Sequence, residues 1–249
     1  CCAPPGTTCA VTRQRRSYPA DLTSLPLSRD NAPLHRGCGG FVPPFHTGPD
    51  TDLDYYPIIA ERFQATLESI AMSVDQLAQP LGQAAELLTT CLLQDRKIMV
   101  CAGGIDTPLA QLFTSALLSR LDDERPALPA LNLASDGGTR AAIAASEGPD
   151  AVFARQLQAL GQPGDALLLV AGGDTDPAQS AALRVAMERD MPVVALVTSA
   201  DRELVQDLPA GAAVIRTGTA ARSQVLEMHT MILLALCQLI DIGLFGPRD

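Results

Sequence analysis

Residues 97–121 read Lys97-Ile-Met-Val-Cys-Ala-Gly-Gly-Ile-Asp-Thr-Pro-Leu-Ala-Gln-Leu-Phe-Thr-Ser-Ala-Leu-Leu-Ser-Arg-Leu121. The apolar run up to Ala102 has the length of a strand, and Gly103-Gly104 ends it. Leu109, Leu112, Phe113, Ala116, Leu117 and Leu121 then fall at helical spacing until Glu124-Arg125-Pro126 stops the helix. The unit repeats downstream. Leu128–Ala134 reads as a strand, Thr139–Ala145 and Val152–Leu160 as helices, and Asp165–Ala171 as a strand ending in Gly172-Gly173. Pro177–Arg189 reads as a helix, Pro192–Thr198 as a strand, Ala212–Arg216 as a weak strand, and about Ala221 to Ile242 as a long last helix. Short strands that are apolar throughout and separated by helices imply a parallel sheet covered on both faces. The expected fold is α/β and doubly wound. Upstream, Ile58, Ile59, Phe63, Leu67 and Ile70, then Leu77, Leu81, Ala84, Leu88 and Leu92, predict an N-terminal helical pair over 53–93, with the α/β core over 97–249.

Composition narrows the function classes. The 249 residues carry a net charge of −10, with 18 basic and 28 acidic side chains and a single Lys, Lys97. A protein that tracks phosphates on nucleic acid needs a basic face, so no direct nucleic-acid partner is expected. Mean hydropathy is +0.15, but the most apolar stretch, Met228 to Phe245, is interrupted by His229, Thr230, Gln238 and Asp241. It reads as too short and too polar to span a membrane. Residues 1–50 differ from the rest: they hold eight of the 19 Pro and four of the seven Cys, with a charge of +2 against −12 for the remainder. Without an apolar period this segment reads as a disordered extension preceding a domain at 51–249. The first Met is Met72, as expected of a fragment or of a reading frame extended upstream of its true start. The Cys spacings match no zinc pattern, and Cys91, Cys101 and Cys237 lie in apolar runs, which suggests thiols in a reducing, cytoplasmic compartment.

In an open parallel sheet, ligands bind beyond the C-terminal strand ends. Both Gly turns lie there, each followed by a helix whose amides can cradle an anion. Neither turn is a dinucleotide fingerprint or a Walker loop, and no cofactor or metal site is implied. Asp106 and Asp176 are expected to cap the two following helices, with Pro108 and Pro177 just inside, so that carboxylates occupy the amides a phosphate would use. At an effective dielectric near 20, like unit charges about 5 Å apart repel by roughly 3 kcal/mol. The turns therefore read as closed to phosphate. His229 reads as a core or interface histidine.

Five blocks in order carry a family resemblance: Lys97-Ile-Met-Val-Cys-Ala-Gly-Gly, Glu124-Arg-Pro-Ala-Leu-Pro-Ala, Gln158-Ala-Leu-Gly-Gln-Pro-Gly-Asp, Arg189-Asp-Met-Pro-Val-Val-Ala-Leu and Leu226-Glu-Met-His. Over residues 57–246 the chain resembles the sugar isomerase (SIS) domain of phosphoheptose isomerases, and within it the DnaA initiator-associating (DiaA-type) branch. The resemblance implies a five-stranded parallel sheet, flavodoxin-like or Rossmann-like, and a homotetramer or homodimer. It implies a phosphosugar site at Gly103, Gly104, Asp106, Thr107, Ser135, Asp136, Gly173, Thr175, Asp176, Glu227 and His229. That site is degenerate, because Asp106, Ala171, Gly173 and Asp176 stand where the family has serines. The family's catalytic Glu and His fall at Ala116 and Leu234, and its Gln at Leu226. The expected function is thus a non-catalytic tetrameric scaffold that binds a DnaA-type replication initiator through Leu244 and Phe245, set beyond the last helix. The alternatives are a phosphoheptose isomerase acting on sedoheptulose 7-phosphate, or a regulatory module that binds a phosphosugar without converting it.

Overall fold

A computed structural model describes residues 54–122, 124–173, 176–218 and 221–247. The reading of residues 1–50 as an extension lies outside them. Five parallel strands, β1 (Ile98–Ala102), β2 (Ala130–Asn132), β3 (Ala166–Val170), β4 (Val193–Thr198) and β5 (Ala213–Thr217), form one sheet in the order β2-β1-β3-β4-β5. Every residue of β1, β3 and β4 is buried, which is why these strands read as unbroken apolar runs. Alternation still divides their side chains. Ile98, Val100 and Ala102 enter one core with α1 (Tyr56–Leu93), α2 (Thr107–Leu118) and α7 (Arg222–Phe245). Met99 and Cys101 enter the other, with α4 (Ala154–Leu160) and α5 (Pro177–Glu188). α3 (Gly137–Glu147) and the five-residue α6 (Arg202–Gln206) complete the second layer. The doubly wound five-stranded fold expected from the sequence is present.

Two expectations about helices change. The N-terminal pair is a single 38-residue helix with Pro80 inside it. Its buried residues begin only at Leu77, and the first half presents Tyr56, Ile59, Phe63, Leu67 and Val74 to solvent. The two halves look like separate helices in sequence because their apolar residues have different surroundings: the core for one and, for Tyr56, Ile59, Phe63, Leu67 and Val74, exposure among the described residues. The last helix also runs further than Ile242. Gly243, Leu244 and Phe245 form its final turn, and Gly246, at φ +89°, ends it. α7 is long and apolar enough to cross a membrane by length and composition, because it starts six residues before the stretch judged too short. In this fold Ile232, Leu233, Leu236, Cys237 and Ile240 are core residues with no exposure.

The strand order places the site. Order changes direction between β1 and β3, whose chain connections run to opposite edges of the sheet, and a crevice opens there at the carboxyl ends. The Gly turns that follow β1 and β3 are the two lips of that crevice.

Candidate functional site

The first lip is Gly103 followed by a 3-10 turn, Gly104–Asp106, that leads into α2. Gly104 sits at φ +52°, open to a glycine. Asp106 already has helical dihedrals, so its carboxylate does not turn back onto the α2 amides, and no side-chain cap forms. This corrects the expectation of an Asp106 cap. The carboxylate is instead buried and paired with Arg222, whose Nη2 donates to Oδ2 at 2.8 Å. Arg222 Nη1 donates to the Gly172 carbonyl of the second lip. Thr107 is half-buried and its hydroxyl donates to the Ala102 carbonyl.

The second lip follows the expectation. Asp176 is extended, and its Oδ1 accepts from the Ala178 amide at 2.9 Å, with Pro177 opening α5. The two lips hold each other. A Cβ on Gly103 would overlap the Asp176 carboxylate, and one on Gly172 would overlap the Arg222 guanidinium. Each lip thus has a glycine where the charged group of another element lies against the backbone. Thr175 lies outside the described residues. Gly173 donates its amide to Asp201 Oδ1 at 3.1 Å, and Asp201 Oδ2 accepts from the Thr198 amide and hydroxyl.

His229 is fully buried one layer below, with Nε2 3.2 Å from the Thr217 hydroxyl. Nδ1 has no hydrogen-bond partner among the described residues. Burial pushes its pKa down to about 4, Asp201 pulling it back upward and Arg222 pressing it down. A neutral, inaccessible imidazole fits the core role expected of it. Glu227 faces solvent on the same helix: Arg62 donates to one oxygen, and the Thr66 hydroxyl to the other at 2.8 Å. Both partners belong to α1. Beside the second lip, an open groove of about 410 Å³ is lined by Gly137, Arg140, Phe153 and Asp176, the size class of small-molecule sites. At its rim Asp136 caps α3, and the hydrogen bonds from the Thr139 hydroxyl and amide hold the Asp136 carboxyl below its usual range. Ser135 donates to the Asn132 carbonyl. Among the described residues no cluster of side chains could hold a metal ion.

A model of the SIS domain matches residues 62–199. The phosphoheptose isomerase of Shewanella denitrificans is 34% identical over 191 residues, 77% of this chain and 97% of the relative. The chain belongs to the SIS domain family. The phosphoheptose isomerase of Shewanella oneidensis is equally similar, at 34% identity over 96% of its length. Solved phosphoheptose isomerases agree: that of Francisella tularensis has a TM-score of 0.71 at 29% identity, covering 76% of this chain and 99% of its own. The enzyme from Neisseria gonorrhoeae has a TM-score of 0.69 at 28% identity, covering 75% of this chain and 98% of its own. This chain is phosphoheptose isomerase-like along almost the whole length of those proteins.

That likeness overturns the expected non-catalytic scaffold for a DnaA-type initiator, since these relatives carry the name of an enzyme. The structure also removes the motivation for the Leu244–Phe245 patch. Both residues are helical, and Leu244 packs against the core, leaving only Phe245 exposed. Sequence reasoning missed Arg222, Asp201, Arg62 and Thr66. For Arg222 a signal was available: a cation in the first turn of a long helix opposes the macrodipole and needs a reason to be there.

Proposed function

We propose that this SIS domain acts on a phosphorylated sugar as a phosphoheptose isomerase does, interconverting sedoheptulose 7-phosphate and its aldose. The observation that carries this reading is the 34% identity to a phosphoheptose isomerase across 97% of that relative. Isomerisation moves a proton between C1 and C2, which needs a base within reach of adjacent carbons. We assign that task to Glu227, the carboxylate of the site that faces solvent while both its oxygens are fixed from α1. His229 is too deeply buried to serve. Arg62 and Thr66 are then positioning residues. The test is incubation with sedoheptulose 7-phosphate and detection of the aldose phosphate. The expected result is turnover, falling at least about a hundredfold in Glu227→Gln. A second reading, binding without conversion, is favoured by one observation: Ala116 and Leu234, at the positions where the resemblance puts the family's Glu and His, have no proton to exchange. Binding of the ketose phosphate with no turnover selects it.

The same reading includes self-assembly. Tyr56, Ile59, Phe63, Leu67, Ile70 and Val74 form one stripe at spacings of three and four along α1, continuous with the buried Leu77. Such spacing suits packing against another helix. A standard interface buries about 800 Å² per partner, which a helix face of this length can supply. The occupant proposed is a second copy of this chain, and Phe63→Glu is expected to lower the sedimenting mass.

A further inference from the structure

We infer that the groove between α3 and α5 binds a small organic acid, whose carboxylate is taken by Arg140 and whose hydroxyl or amino group faces Asp176. The groove lies in the layer of α3, α4 and α5, across the sheet from α1 and α7, which carry Arg62, Thr66 and Glu227. Arg140 is not among the residues that the family resemblance brings to a phosphosugar site. The inference therefore goes beyond the isomerase reading and stands without it. Arg140 projects from α3 across Phe153, with Cζ 5.6 Å from the ring centroid, within reach of a cation–π contact. Phe153 is buried, so one face of the guanidinium rests on the core. Its donors are nearly unused. Among the described residues Nη1 donates to the Ala134 carbonyl at a long 3.4 Å, and the buried Nε has no partner. Asp136, four residues earlier, is engaged by the Thr139 amide and hydroxyl instead.

A planar guanidinium with free N–H groups matches a carboxylate, which accepts two parallel hydrogen bonds. The walls formed by Ala144, Pro149 and Val152 are apolar and carry no charge, which suits an aliphatic tail. Charge nearby selects against a phosphate. Asp176 lines the same groove, and Asp136 stands at its rim with its carboxyl held below the usual range. A phosphate dianion would meet one cation and two carboxylates, whereas a monocarboxylate brings half the charge to the same repulsion. Asp176 accepts the Ala178 amide on Oδ1, and an ionised carboxylate has about four lone-pair sites. It keeps room for a donor, which a hydroxyl or an ammonium on the ligand supplies. The groove, about 410 Å³, has room for an acid of this kind.

The experiment is calorimetric titration of leucic acid, leucine, isocaproate and inorganic phosphate into the full chain and two variants. The three acids share a carboxylate and a branched tail and differ in carrying a hydroxyl, an amino group or neither. Leucic acid or leucine is expected to bind most tightly, isocaproate more weakly and phosphate weakest. Arg140→Met keeps an unbranched stem over Phe153 without its donors, and is expected to weaken the acids about tenfold or more, the worth of a charged hydrogen bond. Ala144→Leu fills the groove, leaves every charge in place and is expected to weaken them comparably. Thermal melts confirm that each variant is folded, and Ala144→Leu decides the matter if Arg140→Met is not. An unchanged affinity in either folded variant overturns the inference, as does a parent chain that binds none of the three acids. Phosphate bound more tightly than the acids overturns the carboxylate assignment. Leucine against leucic acid tells an ammonium from a hydroxyl as the donor, and isocaproate bound as tightly as both removes Asp176 from the site.

Discussion

The two lips of the crevice are near twins in sequence. One runs Gly103-Gly104-Ile105-Asp106-Thr107-Pro108 and the other Gly172-Gly173-Asp174-Thr175-Asp176-Pro177. Each has two glycines, an Asp two or three residues later and a Pro at the helix start. Their carboxylates nevertheless do different work. Asp176 directly precedes Pro177, is extended and caps α5. Asp106 is separated from Pro108 by Thr107, lies in a 3-10 turn and reaches Arg222 on a distant helix. One residue of offset decides whether the side chain can fold back over the helix start. A carboxylate beside a glycine turn therefore reports nothing about anion binding until its partner is known.

The largest effect expected from breaking this contrast is at Arg222. Arg222→Met leaves Asp106 buried without the cation, and losing one partner of a buried pair costs about 3–5 kcal/mol. Arg222→Met also releases the Gly172 carbonyl of the second lip but leaves the Asp176 cap in place, so urea unfolding of Arg222→Met against Asp176→Ala compares the ion pair with the cap. Adding Asp106→Asn to Arg222→Met is expected to recover much of the loss. If Arg222→Met alone unfolds no more easily than the parent, the pair has no structural role.

Acid separates the lips next. His229 titrates near 4 in the folded chain, below its ordinary 6.5. Between those values the unfolded chain binds the proton first. Stability linked to His229 is therefore complete above pH 6.5 and is lost as pH falls toward 4, by about 3 kcal/mol at most. The network above His229 belongs to the second lip: Thr217 touches the ring, and nearby Asp201 holds the Gly173 amide. Hydrogen exchange at Gly173 should accelerate on acidification more than exchange at Asp106, whose amide is bound to the Gly103 carbonyl. His229→Gln is expected to flatten the pH dependence, and an unchanged slope would assign the titration elsewhere.

The sheet was legible because β1, β3 and β4 are each a closed problem: five or six buried, mostly apolar residues, a glycine or proline boundary, and a helix after it. A parallel sheet is implied by that alternation, and with it a ligand crevice at the carboxyl ends of the strands. The helix α1 was misdivided because periodicity reports that a face is apolar and not what covers it. α6, five residues long, is too short for any period to register. Within the site, Asp176 was readable because capping is local, involving only residues 176–178. Asp106 was not, because its partner is 116 residues away, and a repulsion reckoned from Asp106 alone omits the cation that answers it. Glu227 was named from the resemblance, but the α1 residues that fix it are 161 and 165 positions distant.

The smallest effect is also the most discriminating. A cap depends on one acceptor oxygen, so any short side chain that places an oxygen near the Ala178 amide can serve. Asp176→Ala removes that acceptor and is expected to cost about 1 kcal/mol, whereas Asp176→Ser keeps it and should cost only a few tenths. An ion pair has no such tolerance. At Asp106, a serine hydroxyl is neutral and too short to meet the guanidinium, so Asp106→Ser and Asp106→Ala should destabilise alike. The ranking of serine against alanine, measured by thermal melts of four single variants, therefore reads the mechanism at each lip independently of its size. A serine that rescues Asp106 as well as it rescues Asp176 would mean that both lips are capped turns after all, and that the pairing of Asp106 with Arg222 does not hold the crevice together.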